Sequence, residues 1–197
     1  SMRNMKKDMG GAAIAISLFL MANSLLKKSK IILIIPTAEN SVSGNSMRPG
    51  DIYSSSTGKK VEISHTDAEG RLLLADAMEL ANTYNPSLII DFATLTGAAR
   101  VALGEDIPVY FSNDEDVAKK IDTLNQKKIR AWRLPLYTPY KNKLNSQFAN
   151  LCNASLDGMA GSITAALFIE DFIENKKTPW IHSVSYTHLT LPTTYEV

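Results

Sequence analysis

The densest chemistry in the chain is the run His65-Thr66-Asp67-Ala68-Glu69-Gly70-Arg71, which follows a turn and a short strand-like stretch over 60–63. In an extended segment side chains alternate faces, so Asp67, Glu69 and Arg71 project to one side and set two carboxylates beside a guanidinium. Two hard oxygen ligands a few ångströms apart suit one or two divalent cations, and a nearby arginine suits an anion or a developing oxyanion. The same residues also read as a solvated turn with a local Glu-Arg pair. An EF-hand calcium loop with Gly70 at the invariant glycine fails, because His65 then stands first and Asp76, shorter than the expected glutamate, stands last.

Two further places can contribute. Asp8 precedes Met9-Gly10-Gly11-Ala12-Ala13, small residues that let a helix start pack closely on another element; a carboxylate there also reads simply as a helix cap. Thr94-Leu95-Thr96-Gly97-Ala98 follows a buried strand, where α/β proteins keep their ligand sites, and equally reads as a turn. His182 and His188 have no partner at ligand spacing, and Cys152 has no basic neighbour to activate it. Phosphate-binding glycine motifs and a nucleophile elbow are absent from the sequence.

The elements that must position these residues read as α/β. Residues 10–28 are helix formers ending in Lys27 and Lys28, which suit the negative end of a helix dipole. Residues 31–35 are a continuous aliphatic run stopped by Pro36, the pattern of a strand buried on both faces. The order recurs with a helix over 71–83 and a buried strand over 88–92; 108–111 is a third strand candidate. Between the first two strands, 37–60 is a long loop with turn signals at Pro49-Gly50-Asp51 and Thr57-Gly58-Lys59, of a length that is usually functional. Helices are expected over 116–126 and 162–174, and Trp132-Arg133-Leu134-Pro135-Leu136 as buried scaffold.

Composition narrows the classes. With 197 residues, 45% of them hydrophobic, the chain can bury a core, which excludes disorder. Its 21 Lys and Arg against 20 Asp and Glu leave a formal charge of +1, too weak a field to argue for nucleic acid or an anionic membrane. A single cysteine excludes an internal disulfide and a multi-cysteine zinc cluster, and suits a reduced, cytoplasmic setting. Basic residues ahead of the apolar stretch 11–22 resemble a secretory signal, but Asp8 interrupts the charged part, no clear cleavage site follows, and the stretch falls short of the roughly 20 residues that span a bilayer. The rival reading is an ordinary buried helix.

The run at 65–72 resembles the signature Asn-Thr-Asp-Ala-Glu-Gly-Arg-Leu of the leucyl aminopeptidases, the cytosol aminopeptidases of the M17 type. The likeness extends in the family's order through Met5-Lys6-Lys7-Asp8-Met9-Gly10-Gly11-Ala12-Ala13, Ala38-Glu39-Asn40, Arg48-Pro49-Gly50-Asp51, Ala93 to Ala98, Ala102-Leu103-Gly104 and Trp132 to Leu136, covering residues 2–182. It implies an α/β domain with a mixed, mainly parallel sheet flanked by helices, and a peptidase that removes N-terminal residues such as leucine through a two-metal-activated water. By position, Asp8, Asp67 and Glu69 match metal ligands, with Glu69 as the bridging carboxylate. Arg71 matches the arginine that holds a bicarbonate-like base near that water. Thr94, Leu95 and Gly97 match backbone contacts to substrate, and Met5 a wall of the side-chain pocket. The cofactors implied are two divalent metal ions, Mn2+ or Zn2+; the implied partners are peptide substrates and further copies of the chain in a homo-hexamer, with neither nucleic acid nor membrane.

Three departures qualify the resemblance. The family's glycine-rich segment ahead of the Asp8 block carries a metal-binding Lys, another metal-binding Asp and a catalytic Lys, and this chain starts after it. His65 stands where the family has Asn. Residues 183–197, with Thr187, Thr190, Thr193 and Thr194 and no Lys or Arg, resemble nothing in the family and are expected to pack poorly. The expectation is therefore a partial catalytic domain over 1–182, with a catalytically inactive metal-binding or oligomer-forming scaffold as the alternative.

Overall fold

The computed structural model describes residues 2–40, 43–125 and 131–184. After a 3-10 helix, Met2–Lys7, the chain forms α1 (Gly10–Leu25), β1 (Ile52–Ser54), β2 (Lys60–Glu62), α2 (Gly70–Asn82), β3 (Ile89–Ala93), α3 (Gly97–Leu103), β4 (Val109–Ser112), α4 (Glu115–Asn125) and β5 (Trp132–Arg133). A second 3-10 helix, Thr138–Leu144, leads to β6 (Leu151–Cys152), α5 (Gly161–Glu170) and β7 (Trp180–Val184).

The main sheet has the order β3-β7-β4-β5. β3 runs parallel to β7 and β4 parallel to β5, while β4 and β7 are antiparallel, so the sheet is mixed and mainly parallel as expected. Its strands are apolar because helices cover them: Trp180 and Val184 of β7 and all of β4 are buried, and Phe168 and Ile169 of α5 and Met78 of α2 join them in one core. A hydrogen-bonded polar cluster shares this core. Asp91 on β3 lies opposite His182 on β7; its Oδ1 meets His182 Nδ1 at 2.6 Å, and its Oδ2 accepts from Trp180 Nε1 at 2.7 Å. The His182 ring stacks between Phe111 and Trp180.

A smaller sheet, β1-β2-β6, sits at the end of the long loop. β1 and β2 form a hairpin, closed by Ser55 N–H donating to Lys59 O at 2.9 Å with Gly58 at φ +87. The buried Glu79 of α2 latches this hairpin, accepting from Ser55 Oγ at 2.7 Å, from the Thr57 backbone at 2.9 Å and from the Ser56 and Thr57 hydroxyls. Tyr53 adds a hydrogen bond to Asp76 one turn earlier on the same helix. Part of the loop predicted over 37–60 is thus regular structure held to a helix.

Several expectations change. Residues 31–35 form no strand: they lie outside any helix or strand and are half-buried, with Ile32 exposed, and no described strand pairs with them. An aliphatic run becomes a strand only where a neighbour takes its backbone hydrogen bonds. α1 ends at Leu25 rather than Lys28 and is not a fully buried helix, since Leu20, Met21 and Leu25 face out. The helical run Met5–Leu25 has 21 residues, longer than the stretch 11–22, and is long and apolar enough by length and composition to cross a membrane. α5 stops at Glu170, four residues short of prediction. Trp132 is 62% exposed, because β5 is a two-residue edge strand, so it is not buried scaffold. β7 carries ordered sheet through Ser183 and Val184, two residues past the boundary at 182. The rest of the expected tail, 185–197, and His188 with it, lies outside the described residues.

Candidate active site

The chain passes from β2 to α2 through the signature segment, and the parallel pairing of β2 with β6 decides what lies beneath it. Val61 is opposite Leu151 and Glu62 opposite Cys152; Asn153 N–H extends the ladder by donating to Glu62 O at 2.9 Å. Asn153, fully buried, then meets the turn face to face. Its Oδ1 accepts from Ser64 N at 2.8 Å, His65 N at 3.1 Å and Ser64 Oγ at 3.1 Å, while its Nδ2 donates to His65 O at 2.7 Å and Ala68 O at 3.3 Å. Asp67 N–H donates to His65 Nδ1 at 3.2 Å, so the imidazole plays the acceptor part that an asparagine side chain plays in an Asx turn.

The extended reading of this segment is corrected by that geometry. Residues 66 and 67 form a turn, Glu69 is already helical as the N-cap of α2, and Arg71 lies inside the first turn. Arg71 therefore does not project beside Asp67 and Glu69 into solvent. It is 6% exposed, donates from Nη1 to Asn153 O at 2.8 Å, lies over the Phe168 ring, and leaves its Nε buried without a partner among the described residues. Burial lowers its pKa to about 10, against the pull of Glu69, which still leaves it charged at neutral pH.

The other sequence candidates gather at the C-terminal end of β3. Thr94 Oγ1 donates to Asp8 O at 3.2 Å, and a Cβ on Gly10 would lie 3.3 Å from Thr94 Cγ2. A Cβ on Gly70 would lie 3.3 Å from Leu95 Cδ1, and one on Gly161 would lie 3.4 Å from Ala98 Cβ. Thr96 Oγ1 and Ser162 Oγ are 2.7 Å apart, and Asn40 Nδ2 reaches Met5 Sδ at 3.3 Å. The starts of α1, α2, α3 and α5 thus surround residues 94–98, and none carries a side-chain cap. Helix N-termini carry partial positive charge, so the field there favours carboxylates and anions.

Asp8, Asp67 and Glu69 stand at the starts of α1 and α2, are exposed, and accept no hydrogen bond and form no ion pair through their carboxylates among the described residues. Uncommitted carboxylate oxygens fit hard divalent cations. The set is incomplete, however: among the described residues no three His, Cys, Asp or Glu side chains are gathered as a metal ion requires. A groove of about 570 Å3 at the opposite end of the sheet is lined by Arg133, Glu115 and Glu170, already committed to Arg133–Glu115 and Lys141–Glu170 ion pairs.

Sequence reasoning missed Asn153 and Ser162, and quoted Asn40 in the block Ala38-Glu39-Asn40 without giving it a role. Asn153 is 82 residues or more from everything its side chain and carbonyl hold, and only the β2–β6 register brings it there. A short apolar pair ahead of an asparagine gives no such signal.

A model of the cytosol aminopeptidase family, catalytic domain, peptidase M17, matches residues 1–187. A protein named "Probable cytosol aminopeptidase" from Legionella pneumophila (strain Corby) is 45% identical over 183 residues, which are 92% of this chain and 38% of that protein. The 1.8 Å crystal structure of cytosol aminopeptidase from Coxiella burnetii superimposes with a TM-score of 0.82 at 47% identity, covering 91% of this chain and 39% of that one. A K354E mutant of tomato leucine aminopeptidase superimposes with a TM-score of 0.81 at 36% identity, covering 92% and 36%. The chain therefore spans less than two-fifths of the length of these relatives.

Proposed function

The chain belongs to the cytosol aminopeptidase family, peptidase M17, and from that premise we propose that it supplies part of the active site of a metal-dependent aminopeptidase acting on peptides with a free N-terminus. The observation that carries the reading is the set of uncommitted carboxylates, Asp8, Asp67 and Glu69, at uncapped helix starts around the end of β3.

In this reading Asp8, Asp67 and Glu69 would hold two divalent cations, Glu69 in the role that the family resemblance gives it. Such ions, when bound, lower the pKa of a coordinated water and polarise a scissile carbonyl. The chain's own residues do the rest. The backbone of Thr94, Leu95 and Gly97 aligns the peptide, as the ends of parallel strands and helix starts are suited to do. Met5, fixed against Asn40, lines the side-chain pocket. Arg71, charged and with a buried Nε lacking a partner among the described residues, would hold a small anion such as bicarbonate, which would supply a general base there. Mn2+ and Zn2+ both suit oxygen ligands. A cytoplasmic setting agrees with relatives named cytosol aminopeptidases; the homo-hexamer rests on the family resemblance alone.

The test is hydrolysis of leucine amide by the whole protein containing this chain, stripped with a chelator and reloaded with Mn2+ or Zn2+. Activity should require the metal, and Glu69→Ala should lower kcat/KM at least about 100-fold. Full activity in that variant would show that Glu69 is not a ligand. Assembly without any hydrolysis would favour the scaffold reading, which the incomplete ligand set also permits.

A further inference from the structure

We propose that Asn153 is the positioning residue of this site: its buried carboxamide sets the 64–68 turn so that Asp67 and Glu69 are presented as cation ligands. The inference rests on the reading of those two carboxylates as ligands, and goes beyond it by assigning the job of orienting them to a residue on another strand.

The polarity of the contacts is the first argument. Oδ1 faces two backbone N–H groups, of Ser64 and His65, and Nδ2 faces two carbonyls, of His65 and Ala68. Only a carboxamide supplies an acceptor on one side and a donor on the other at this length. Aspartate has nearly the same shape but turns a second acceptor toward the two carbonyls. The orientation of the amide follows from these partners, since a flip would set donor against donor and acceptor against acceptor.

The second argument concerns what the turn does for the fold. His65, Thr66 and Asp67 are exposed, so the segment brings no apolar side chain into the core that would repay a dedicated buried polar residue. Asn153 is nevertheless 0% exposed and commits all five of its side-chain hydrogen bonds to residues 64–68. Its backbone carbonyl also accepts from Arg71 Nη1. One residue therefore fixes both the turn that carries the carboxylates and the guanidinium behind it. Residues that orient metal ligands without touching the metal commonly change metal affinity or activity 10- to 100-fold.

The experiment is calorimetric titration of the whole protein containing this chain with Mn2+, with the urea midpoint measured on the same samples. Asn153→Asp should weaken Mn2+ binding at least about 10-fold in protein that remains folded. Ser64→Ala, which removes the hydroxyl bonded to Asn153 Oδ1 and Ala154 O, should fall between that variant and wild type. A lowered urea midpoint with Mn2+ affinity unchanged would mean that Asn153 only supports the fold, and overturns the proposal. Where Asn153→Asp does not fold, Ser64→Ala decides: wild-type affinity there overturns it equally. Glu69→Ala separates the two readings. If that variant binds Mn2+ as wild type does, or if wild type binds none, the ligand assignment falls and the positioning role falls with it. If Glu69→Ala loses binding while Asn153→Asp keeps it, the ligand assignment stands and the positioning role alone is lost.

Discussion

Gly11→Ala is the perturbation on which the architecture makes its sharpest statement. Gly11 is the buried residue of α1, at the point where the helix start lies on β3. A Cβ added there would sit 2.3 Å from Phe92 O, 2.8 Å from Phe92 C and 2.9 Å from Ala93 Cα, against an ordinary contact that begins at 3.4 Å. All three atoms are backbone, so no side chain can rotate away and α1 must lift from the sheet by about 1 Å, a large displacement for a close-packed contact. Two effects compete. Alanine gains up to ~1 kcal/mol over glycine in a helix interior. Overpacking against atoms that cannot yield lies at the upper end of its range, about 3 kcal/mol. Packing wins, and the net loss is about 2 kcal/mol, or a Tm lower by roughly 4–8 °C in a chain of this size. Urea unfolding followed by the fluorescence of the buried Trp180 reads the change. Gly97→Ala is the control, because a Cβ at the start of α3 meets nothing within 4 Å and should leave stability unchanged or raise it by up to ~1 kcal/mol. The reasoning is refuted if Gly11→Ala is as stable as wild type, or if both variants move in the same direction. The same lift would separate Asp8 from Thr94, so loss of the 3.2 Å Thr94 Oγ1 to Asp8 O bond should accompany it.

Other predictions concern groups away from the proposed ligands. Burial opposes ionisation of Glu79, but hydrogen bonds from Ser56, Thr57 and Ser55 prevail and hold its carboxyl below the usual value. Its folded pKa is thus lower than its unfolded one, so the stability it adds is present above the ordinary carboxylate range and is lost as pH falls through that range. Glu79→Gln should cost about 1–3 kcal/mol at pH 7 and flatten the loss of urea stability between neutral and acid pH; an unchanged acid profile would contradict the latch. His182→Leu removes half of a buried hydrogen-bonded pair and should cost roughly 3–5 kcal/mol, and a urea-unfolding free energy within about 1 kcal/mol of wild type would show that the pair does not matter to the core. Burial and the nearby Glu62 carboxylate push the Cys152 thiol up, so disulfide reagents at neutral pH should label it only as fast as the protein unfolds. Rapid labelling of folded protein would disprove that.

The fold was legible where a residue pattern determines its own backbone. Residues 88–92 and 108–111 announced β3 and β4 by aliphatic and aromatic runs, and 71–83 announced α2 by its apolar period. It was illegible where the outcome depends on a distant partner. Residues 31–35 are more aliphatic than β3 yet are no strand, because the hydrogen-bonding neighbour is not written in the run itself. Trp132 carries the apolar character of scaffold but sits on a two-residue edge strand, and only strand order decides that.

The candidate site divides along the same line. Residue identities in the signature segment pointed to carboxylates and a guanidinium, and those side chains are there; their directions did not follow from alternation, because the turn at 66–67 and the helix start at Gly70 intervene. What cancels the alternation is visible in the structure. The β2–β6 ladder carries Asn153 to the back of the turn, its carboxamide bonds the backbone of Ser64, His65 and Ala68, and α2 then turns Arg71 inward while Asp67 and Glu69 remain outside. The separation of roles follows. Among the described residues the carboxylates are exposed and without partners, as the proposed cation ligands must be, whereas the charged guanidinium is drawn under the turn with one unpartnered nitrogen, which fits the anion-holding role proposed for it. A local sequence motif specifies which groups are available. Which of them face outward and which are drawn under the turn depends on a strand pairing that joins residue 62 to residue 152.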